Sequence, residues 1–229
     1  MNEQDETSRV WFDLSQVTLE HDEKVLKYFD EEALISLSGP CTGSKVTAEA
    51  LFHPHQEGEQ PVLKAIRLEV HHPAVFSMIR FIRVGEASAL TLENAKFRVR
   101  HDYAGRRLAA RSVTIQARAA QALGFKTINL DAVGDYDMAR FKHGDDRWVG
   151  YWVWPRLGFD ADIPGHLIAR LPDEFRGYRR VSELMASQGG RDWWELHGDT
   201  LNDAKFDLTA GSVSWQLLAE YNQRRNIKV

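Results

Sequence analysis

Apolar and polar side chains alternate along several segments in the first half of the chain. From Val46 to Phe52, for example, every second side chain is apolar. Such alternation is typical of strands that bury one of their two faces. Residues 45–53 alternate throughout and residues 62–70 alternate in their second half, and residues 75–84 and 90–99 are further strand candidates. Because only short polar connections separate these segments, we predict an antiparallel meander.

Weaker patterns precede the meander. Apolar residues alternate within residues 10–19, which predicts an early strand. In residues 22–37 the apolar residues follow a helical spacing and Asp22 is a suitable N-cap, so we predict a helix there. Residues 1–9 are mostly polar, and we expect them to form a disordered tail.

The hydrophobic pattern changes after Gly105. Residues 106–123 contain no Gly or Pro and are rich in Ala, Leu, Arg and Gln, which predicts a long helix that stops at Gly124. Residues 126–133 follow as a short strand-like run. The order strand, helix, strand predicts a β-α-β unit with a right-handed parallel crossover.

The remainder of the chain is mainly helical in pattern. A polar loop is predicted for residues 134–146, and a strand-like run follows at residues 163–171. Helices are predicted for residues 180–187 and 212–225, and the glycine pair at 189–190 is interpreted as a helix stop.

Together these patterns predict an α+β fold. Its sheet is mixed and mainly antiparallel, with one β-α-β unit and a helical C-terminal extension. We expect one domain at residues 10–171, with residues 172–229 packed on it as the extension. That extension is too short to bury a good core of its own.

Composition narrows the class of protein. The chain has 229 residues, of which 43% are hydrophobic and 27% charged, as in globular domains. No apolar run approaches the ~20 residues that a membrane helix needs, so we expect no membrane partner. The first eight residues lack the features of a secretory signal, and the single cysteine, Cys41, excludes a disulfide framework. We therefore expect a cytoplasmic protein.

Charge and ligand spacing restrict the partners further. The formal net charge is −4 and the pI is near 6.1, which does not favour nucleic acid as a partner. His53 and His55 form a His-x-His pair, but no third ligand follows at a fixed spacing. The sequence therefore predicts no metal site.

Four segments lie between residues 103 and 160: Tyr-Ala-Gly-Arg-Arg-Leu-Ala at 103–109, Ala-Gln-Ala-Leu-Gly-Phe at 120–125, Thr-Ile-Asn-Leu-Asp-Ala at 127–132, and Trp-Pro-Arg-Leu-Gly-Phe-Asp at 154–160. In this order they resemble the central part of GNAT-type (Gcn5-related) acyltransferases. The resemblance covers roughly residues 40–170, and its most specific feature is the pair of Leu-Gly-Phe junctions. It implies a GNAT-like fold and an acyl-CoA cofactor.

The resemblance also implies where that cofactor binds. Acetyl-CoA or another acyl-CoA would place its pyrophosphate on the free N–H groups at the start of the long helix. The implied binding residues are Tyr103, Ala104, Gly105, Arg106, Arg107, Leu108 and Ala109. Arg107 stands where the family has a glycine, so its side chain either crowds the pyrophosphate or contacts it. The arginines here are explained by a bound anion or by a solvated basic face.

Catalytic residues are implied less directly. Glu93, on the strand before the phosphate loop, is a candidate general base, or else a solvated carboxylate on the face of a strand. The family's tyrosine acid is Trp154 here, and the nearby Tyr151 is the candidate replacement. Trp148, Trp152 and Trp154 are interpreted as one wall of the substrate site or as core residues.

We interpret the chain as an acyl-CoA-dependent N-acyltransferase. Its acceptor would be an amine of a small molecule or a peptide. Two alternatives stay open. One is a non-catalytic GNAT-like module that binds a protein or peptide. The other is a transferase that uses an aminoacyl-tRNA donor, which the basic helix start permits and the net charge does not encourage.

Overall fold

The computed structural model describes residues 5–54, 61–73, 76–84, 90–103, 105–141 and 148–229. The chain divides into two compact units. The first unit is Met1–Ile128 with Arg225–Val229, and the second unit is Asn129–Arg224. This division falls after Ile128, whereas the sequence analysis placed its boundary after residue 171.

The first unit contains three helices and five strands among its described residues. They are α1 (Glu6–Trp11), β1 (Thr18–His21), α2 (Glu31–Ser38), β2 (Lys45–Phe52), β3 (Leu63–His71), β4 (Phe76–Val84), β5 (Leu90–Val99) and α3 (Leu108–Ala122). The four strands predicted for the meander and the long helix are confirmed. Strand β6 (Thr127–Ala132) follows α3, so the order strand, helix, strand is also present.

The N-terminal segment differs from its prediction. The tail expected at residues 1–9 is helical from Glu6 onward, because the Asp5 carboxylate accepts the backbone N–H of Ser8 and caps α1. Residues 1–4 lie outside the described part of the chain. The strand expected at residues 10–19 begins only at Thr18. Asp13 caps a 3-10 turn just before it, and this local bond competes with extended backbone.

The strands of the first unit form a mixed sheet in the order β1-β2-β3-β4-β5. Strand β1 runs parallel to β2, with Thr18 opposite Lys45. Strands β2 to β5 are antiparallel to their neighbours, as the alternation of apolar residues predicted. The α+β class with a mixed, mainly antiparallel sheet is therefore confirmed.

A bulge interrupts strand β5 at Ala95. Ile79 lies opposite Lys96 and Arg80 lies opposite Asn94, so Ala95 is the extra residue. The bulge shifts the alternation of β5 by one position. As a result, Phe97 and Val99 at the end of the strand face the core. There they pack against the buried cluster that contains Met78.

Helices α2 and α3 both pack on one face of this sheet. From that face Arg80 of β4 hydrogen-bonds to Leu37 of α2 and to Ser112 of α3. We call the opposite face of the sheet the outer face. Residues of β5 that alternate with the core residues, Glu93 among them, lie on the outer face.

The second unit is mainly helical in its described part. Its elements are most of β6, then α4 (Tyr136–Phe141), α5 (Gly150–Arg156), α6 (Gly165–Ile168), α7 (Val181–Met185), α8 (Gln188–His197), β7 (Leu201–Asp207) and α9 (Val213–Arg224). Strand β6 lies beside β7. The helices predicted at residues 180–187 and 212–225 are present as α7 and α9.

Three expectations for this region are wrong. The strand-like run at residues 163–171 contains the short helix α6, which begins directly after Pro164. The glycine pair at 189–190 lies inside α8 and does not end a helix. Part of the polar loop predicted at 134–146 forms α4. Strand β7 had no clear signal in the sequence.

Aromatic side chains form much of the core of the second unit. Trp194, Phe159 and Phe206 are fully buried. Phe159 and Phe206 pack edge to face with centroids 5.6 Å apart, and Trp215 continues the series at 5.2 Å from Phe206. Such pairs stabilise a core beyond the area that they bury.

Candidate functional site

Helix α3 begins at an open turn. Gly105 and Arg107 both have positive φ, 82° and 61°, and a Cβ added at Gly105 would meet nothing within 4 Å. Arg107 is the N-cap residue, and its side chain does not cap the helix. The first N–H groups of a helix have no partner within the helix and carry partial positive charge. This end of α3 therefore has the chemistry of an anion site.

The predicted cofactor residues surround this turn in the first unit. The Arg106 guanidinium lies 4.9 Å from the centroid of the Tyr103 ring, and Tyr103 packs edge to face on Trp11. Arg107 is exposed and donates a hydrogen bond of 2.8 Å to the carbonyl of Arg225. Leu108 is buried and Ala109 is half-buried. Ala104 lies outside the described residues. Two exposed guanidinium groups thus flank the start of α3.

Arg111, one turn further along α3, is already paired. It is buried, and its Nη2 contacts both carboxylate oxygens of Asp5, at 2.9 and 3.0 Å. Its Nε donates to the hydroxyl of Ser8. Burial acts to raise the pKa of Asp5, but the N–H groups of Lys228 and Ser8 together with Arg111 outweigh it and lower that pKa to about 2. Arg111 therefore holds an internal carboxylate.

Glu93 lies on the outer face of the sheet, opposite the face that carries α3. Its carboxylate accepts a hydrogen bond from Nε of Arg83 on the neighbouring strand. This hydrogen bond is the main reason why the pKa of Arg83 is raised above its ordinary value. The structure therefore does not bring the predicted base to the side of the sheet on which α3 begins.

Tyr151, the predicted acid, lies within the second unit. Its ring is 1% exposed and its hydroxyl donates a hydrogen bond of 2.6 Å to the carbonyl of Glu195. Burial, followed by the negative charges of Glu195 and Asp135, raises its pKa above the ordinary value. A phenol in this setting holds its proton tightly, which does not favour a role as a general acid.

The three predicted substrate-site tryptophans occupy three different environments. Trp148 is 51% exposed. Trp152 is half-buried and carries the guanidinium of Arg156 at 4.5 Å from its ring centroid. Trp154 is buried and packs edge to face on Phe159. The sequence left two interpretations of these tryptophans, a wall of the substrate site or core residues, and Trp154 is a core residue.

Sequence reasoning missed a polar cleft of about 600 Å³ in the second unit. Nε2 of His166 lies 3.2 Å from Oδ2 of Asp199, and both residues line the cleft. Arg180 bridges two further carboxylates of the lining, Asp160 at 2.9 Å and Asp162 at 2.8 Å. The Asp-x-Asp spacing at 160–162 was the available sequence signal. The carboxylates of Asp160 and Asp162 are therefore paired with a basic side chain of the same lining.

The other sequence candidates offer little chemistry in the described part of the chain. Burial raises the pKa of the Cys41 thiol to about 11, so the thiol stays protonated and unreactive at neutral pH. His55 lies outside the described residues. Within residues that are described, no group of three or more His, Cys, Asp or Glu side chains is placed to hold a metal ion.

Comparisons with known proteins leave the family open. No protein-family model, no curated protein and no solved structure matches this chain. The helices of the described part include none with both the length and the apolar character needed to cross a bilayer.

Proposed function

We propose that this chain is an acyl-CoA-dependent N-acyltransferase of GNAT-like architecture, and that the cofactor's pyrophosphate binds at the start of α3. One observation carries the proposal. Helix α3 begins without a side-chain cap at an open, positive-φ turn, and Arg106 and Arg107 are exposed beside it. Two cations beside the positive end of a helix dipole interact unfavourably with it. An anion bound there interacts favourably with both the cations and the dipole, and so offsets this free-energy cost.

The residues at this turn offer the hydrogen-bond donors that a pyrophosphate needs, in addition to positive charge. Backbone N–H groups and guanidinium groups are the donors that phosphate oxygens take in proteins. The positive φ of Gly105 and the open space at its Cα leave the backbone accessible to a ligand. The N–H groups of the first turn of α3 and the Arg107 guanidinium would hold the diphosphate, and the bound thioester would supply the acyl group.

The acceptor in this proposal is an amine of a small molecule or peptide. Acyl transfer to a neutral amine forms an amide bond and breaks the thioester, and the proton that the amine nitrogen loses ends on the leaving thiolate, which departs as a free thiol. The proposal assigns no proton-transfer role to Glu93 or Tyr151, because each is committed to a partner within its own unit.

The cofactor site is tested by calorimetric titration of the protein with CoA. We compare wild type with Arg107→Gln, and use Arg100→Gln as the matched control. Arg100 is also exposed, and its loss removes the same charge from the segment before α3. Loss of one charge-assisted hydrogen bond should weaken CoA binding about tenfold in Arg107→Gln, with little change in the control. Absence of binding at high micromolar CoA would overturn the proposal.

A second function, a non-catalytic GNAT-like module that binds a protein or peptide, is favoured by a different observation. Both predicted catalytic side chains are engaged elsewhere, Glu93 with Arg83 and Tyr151 with the carbonyl of Glu195. Release of free thiol from acetyl-CoA in a mixture of amino acids, polyamines and lysine peptides distinguishes the two functions. Thiol release supports the transferase, whereas CoA binding without thiol release supports the module.

A further inference from the structure

Three arginines lie at the start of α3 and along it: Arg107, Arg111 and Arg118. Arg111 and Arg118 are seven residues apart, which aligns their side chains along the helix, and Arg107 is the left-handed N-cap residue of the same helix. We call them the arginine row. Its two outer members bind residues far away in the sequence. Arg107 Nη1 donates to the carbonyl of Arg225 at 2.8 Å, and Arg118 Nη1 donates to the main-chain oxygen of Val229 at 2.5 Å.

Residues 225–229, which we call the strap, are also bonded to the N-terminal part of the first unit. The N–H of Asp5 donates to the carbonyl of Lys228 at 3.1 Å, and the N–H of Lys228 donates to Asp5 Oδ2 at 2.7 Å. Ile227 is 6% exposed, so apolar burial adds to these bonds. Because Asp5 also accepts Arg111, a single carboxylate links the arginine row to the strap.

The contacts along the arginine row differ in strength. Arg111 is buried and contacts an ionised carboxylate, which is a charge-assisted interaction. Arg107 is exposed, and the partner of its Nη1 is a neutral carbonyl oxygen. A phosphate oxygen accepts a stronger hydrogen bond from a guanidinium than a neutral carbonyl does. Arg107 also lies at the start of α3, where the anionic ligand would bind, so it is the member of the row that this ligand can draw away from the strap.

We propose that the strap competes with the phosphate-bearing ligand for Arg107 and thereby limits access to the start of α3. This inference rests on the proposed function, since the ligand is the acyl-CoA assigned to that turn. When the ligand binds, Arg107 exchanges the carbonyl of Arg225 for a phosphate oxygen, and the strap loosens. The pair of Arg111 and Asp5 stays in place, because both groups are charged and largely buried.

Two matched variants test this competition in CoA titrations of the full chain. Arg118→Gln removes an anchor of the strap at a distance of eleven positions from Arg107. Lys228→Gln removes the same charge within the strap but keeps the backbone bonds of Lys228. Loss of one hydrogen bond to the strap should tighten CoA binding about threefold in Arg118→Gln. Lys228→Gln should bind CoA like wild type.

Hydrogen exchange at the Lys228 amide gives a second measurement, because Asp5 accepts this N–H. We expect CoA to speed up exchange there, and Arg118→Gln to do so without CoA. If wild type, Arg118→Gln and Lys228→Gln bind CoA with equal affinity, and exchange at the Lys228 amide is unchanged, the proposed competition by the strap is wrong. The proposed cofactor site would still stand in that case. If none of the three proteins binds CoA, both proposals are wrong.

Discussion

The fully buried guanidinium of Arg80 donates a hydrogen bond of 3.1 Å to the main-chain carbonyl of Leu37, in the last turn of α2. A second bond of 3.0 Å reaches the hydroxyl of Ser112, which itself donates to the carbonyl of Gly39. Burial lowers the pKa of Arg80 to about 9, so the side chain remains charged at neutral pH. Its cation thus meets the negative end of the α2 dipole.

Replacing Arg80 should destabilise the first unit to a degree that depends on the new side chain. Arg80→Ala leaves a cavity and removes the donor from the Leu37 carbonyl, and we expect a loss of about 3 kcal/mol in the free energy of unfolding. Arg80→Met fills most of the volume and should lose about 1 kcal/mol less. Urea unfolding measures both. A methionine variant more stable than wild type would show that desolvation of the charge outweighs its hydrogen bonds.

Asn94 and Gln116 join β5 to α3 through two reciprocal amide hydrogen bonds of 3.0 and 2.8 Å. Both side chains are buried. Asn94→Leu should therefore cost about 2 kcal/mol, because the Gln116 amide keeps no equivalent partner in the core. The double variant, with leucine at both positions, should cost less than the sum of the two single variants. Additive losses in urea unfolding would contradict a direct interaction between the two amides.

Asp5 makes the stability of the first unit depend on pH. Its pKa in the folded protein is about 2, below the ordinary value of 3.8, because three donors outweigh the effect of burial. A lowered pKa contributes stability above pH 4 that is lost as the pH falls through about 2. Unfolding measured from pH 5 to pH 2 should show a loss of about 2 kcal/mol in wild type. Asp5→Asn should be less stable at pH 5 and show a flatter dependence over this window.

The glycines of the two Leu-Gly-Phe junctions should respond differently to substitution. Gly124 and Gly158 both have positive φ, so alanine strains the backbone at either position. A Cβ at Gly124 meets nothing within 4 Å, whereas at Gly158 it would collide with the carbonyl of Ser214 and lie 2.9 Å from Phe206. We expect about 1 kcal/mol for Gly124→Ala and at least about 3 kcal/mol for Gly158→Ala. Equal losses in thermal unfolding would contradict the crowding at Gly158.

The meander was predictable because each of its strands buries one face. The alternation in β2 and β4, for instance, appears directly as alternating burial in the structure. The bulge at Ala95 carried a weaker signal, a change in the phase of apolar residues between Leu92 and Phe97. Patterns of this kind reflect one local preference repeated along a segment, and sequence reasoning detects them well.

Helix α8 was missed because its glycine serves a tertiary contact. A Cβ at Gly190 would collide with the main-chain carbonyl of Leu184, so the glycine permits α7 and α8 to approach closely. Without the fold, the pair at 189–190 has the appearance of a helix stop. The N-cap that starts α8, Ser187, is an ordinary serine in the sequence and gains its meaning only beside this contact.

The start of α3 was located correctly from local sequence, but its partners were not. The change in hydrophobic pattern after Gly105 marks the turn, and the arginines mark its charge. Arg111 binds Asp5, which lies 106 positions away along the chain, and Arg107 binds the carbonyl of Arg225, which lies 118 positions away. No short-range pattern connects such residues, so the polar face of α3 could not be assigned an internal role in advance.

The position of the strap in the chain has a consequence for biosynthesis. Arg107 and Arg118 bind main-chain oxygens of residues that the ribosome adds 118 and 111 positions later, after the entire second unit has been translated. The sheet of the first unit emerges early, yet two arginines beside it must wait for their acceptors. These two contacts of the first unit therefore form only after the second unit is complete, and a nascent chain arrested between the two would leave both arginines without their main-chain acceptors.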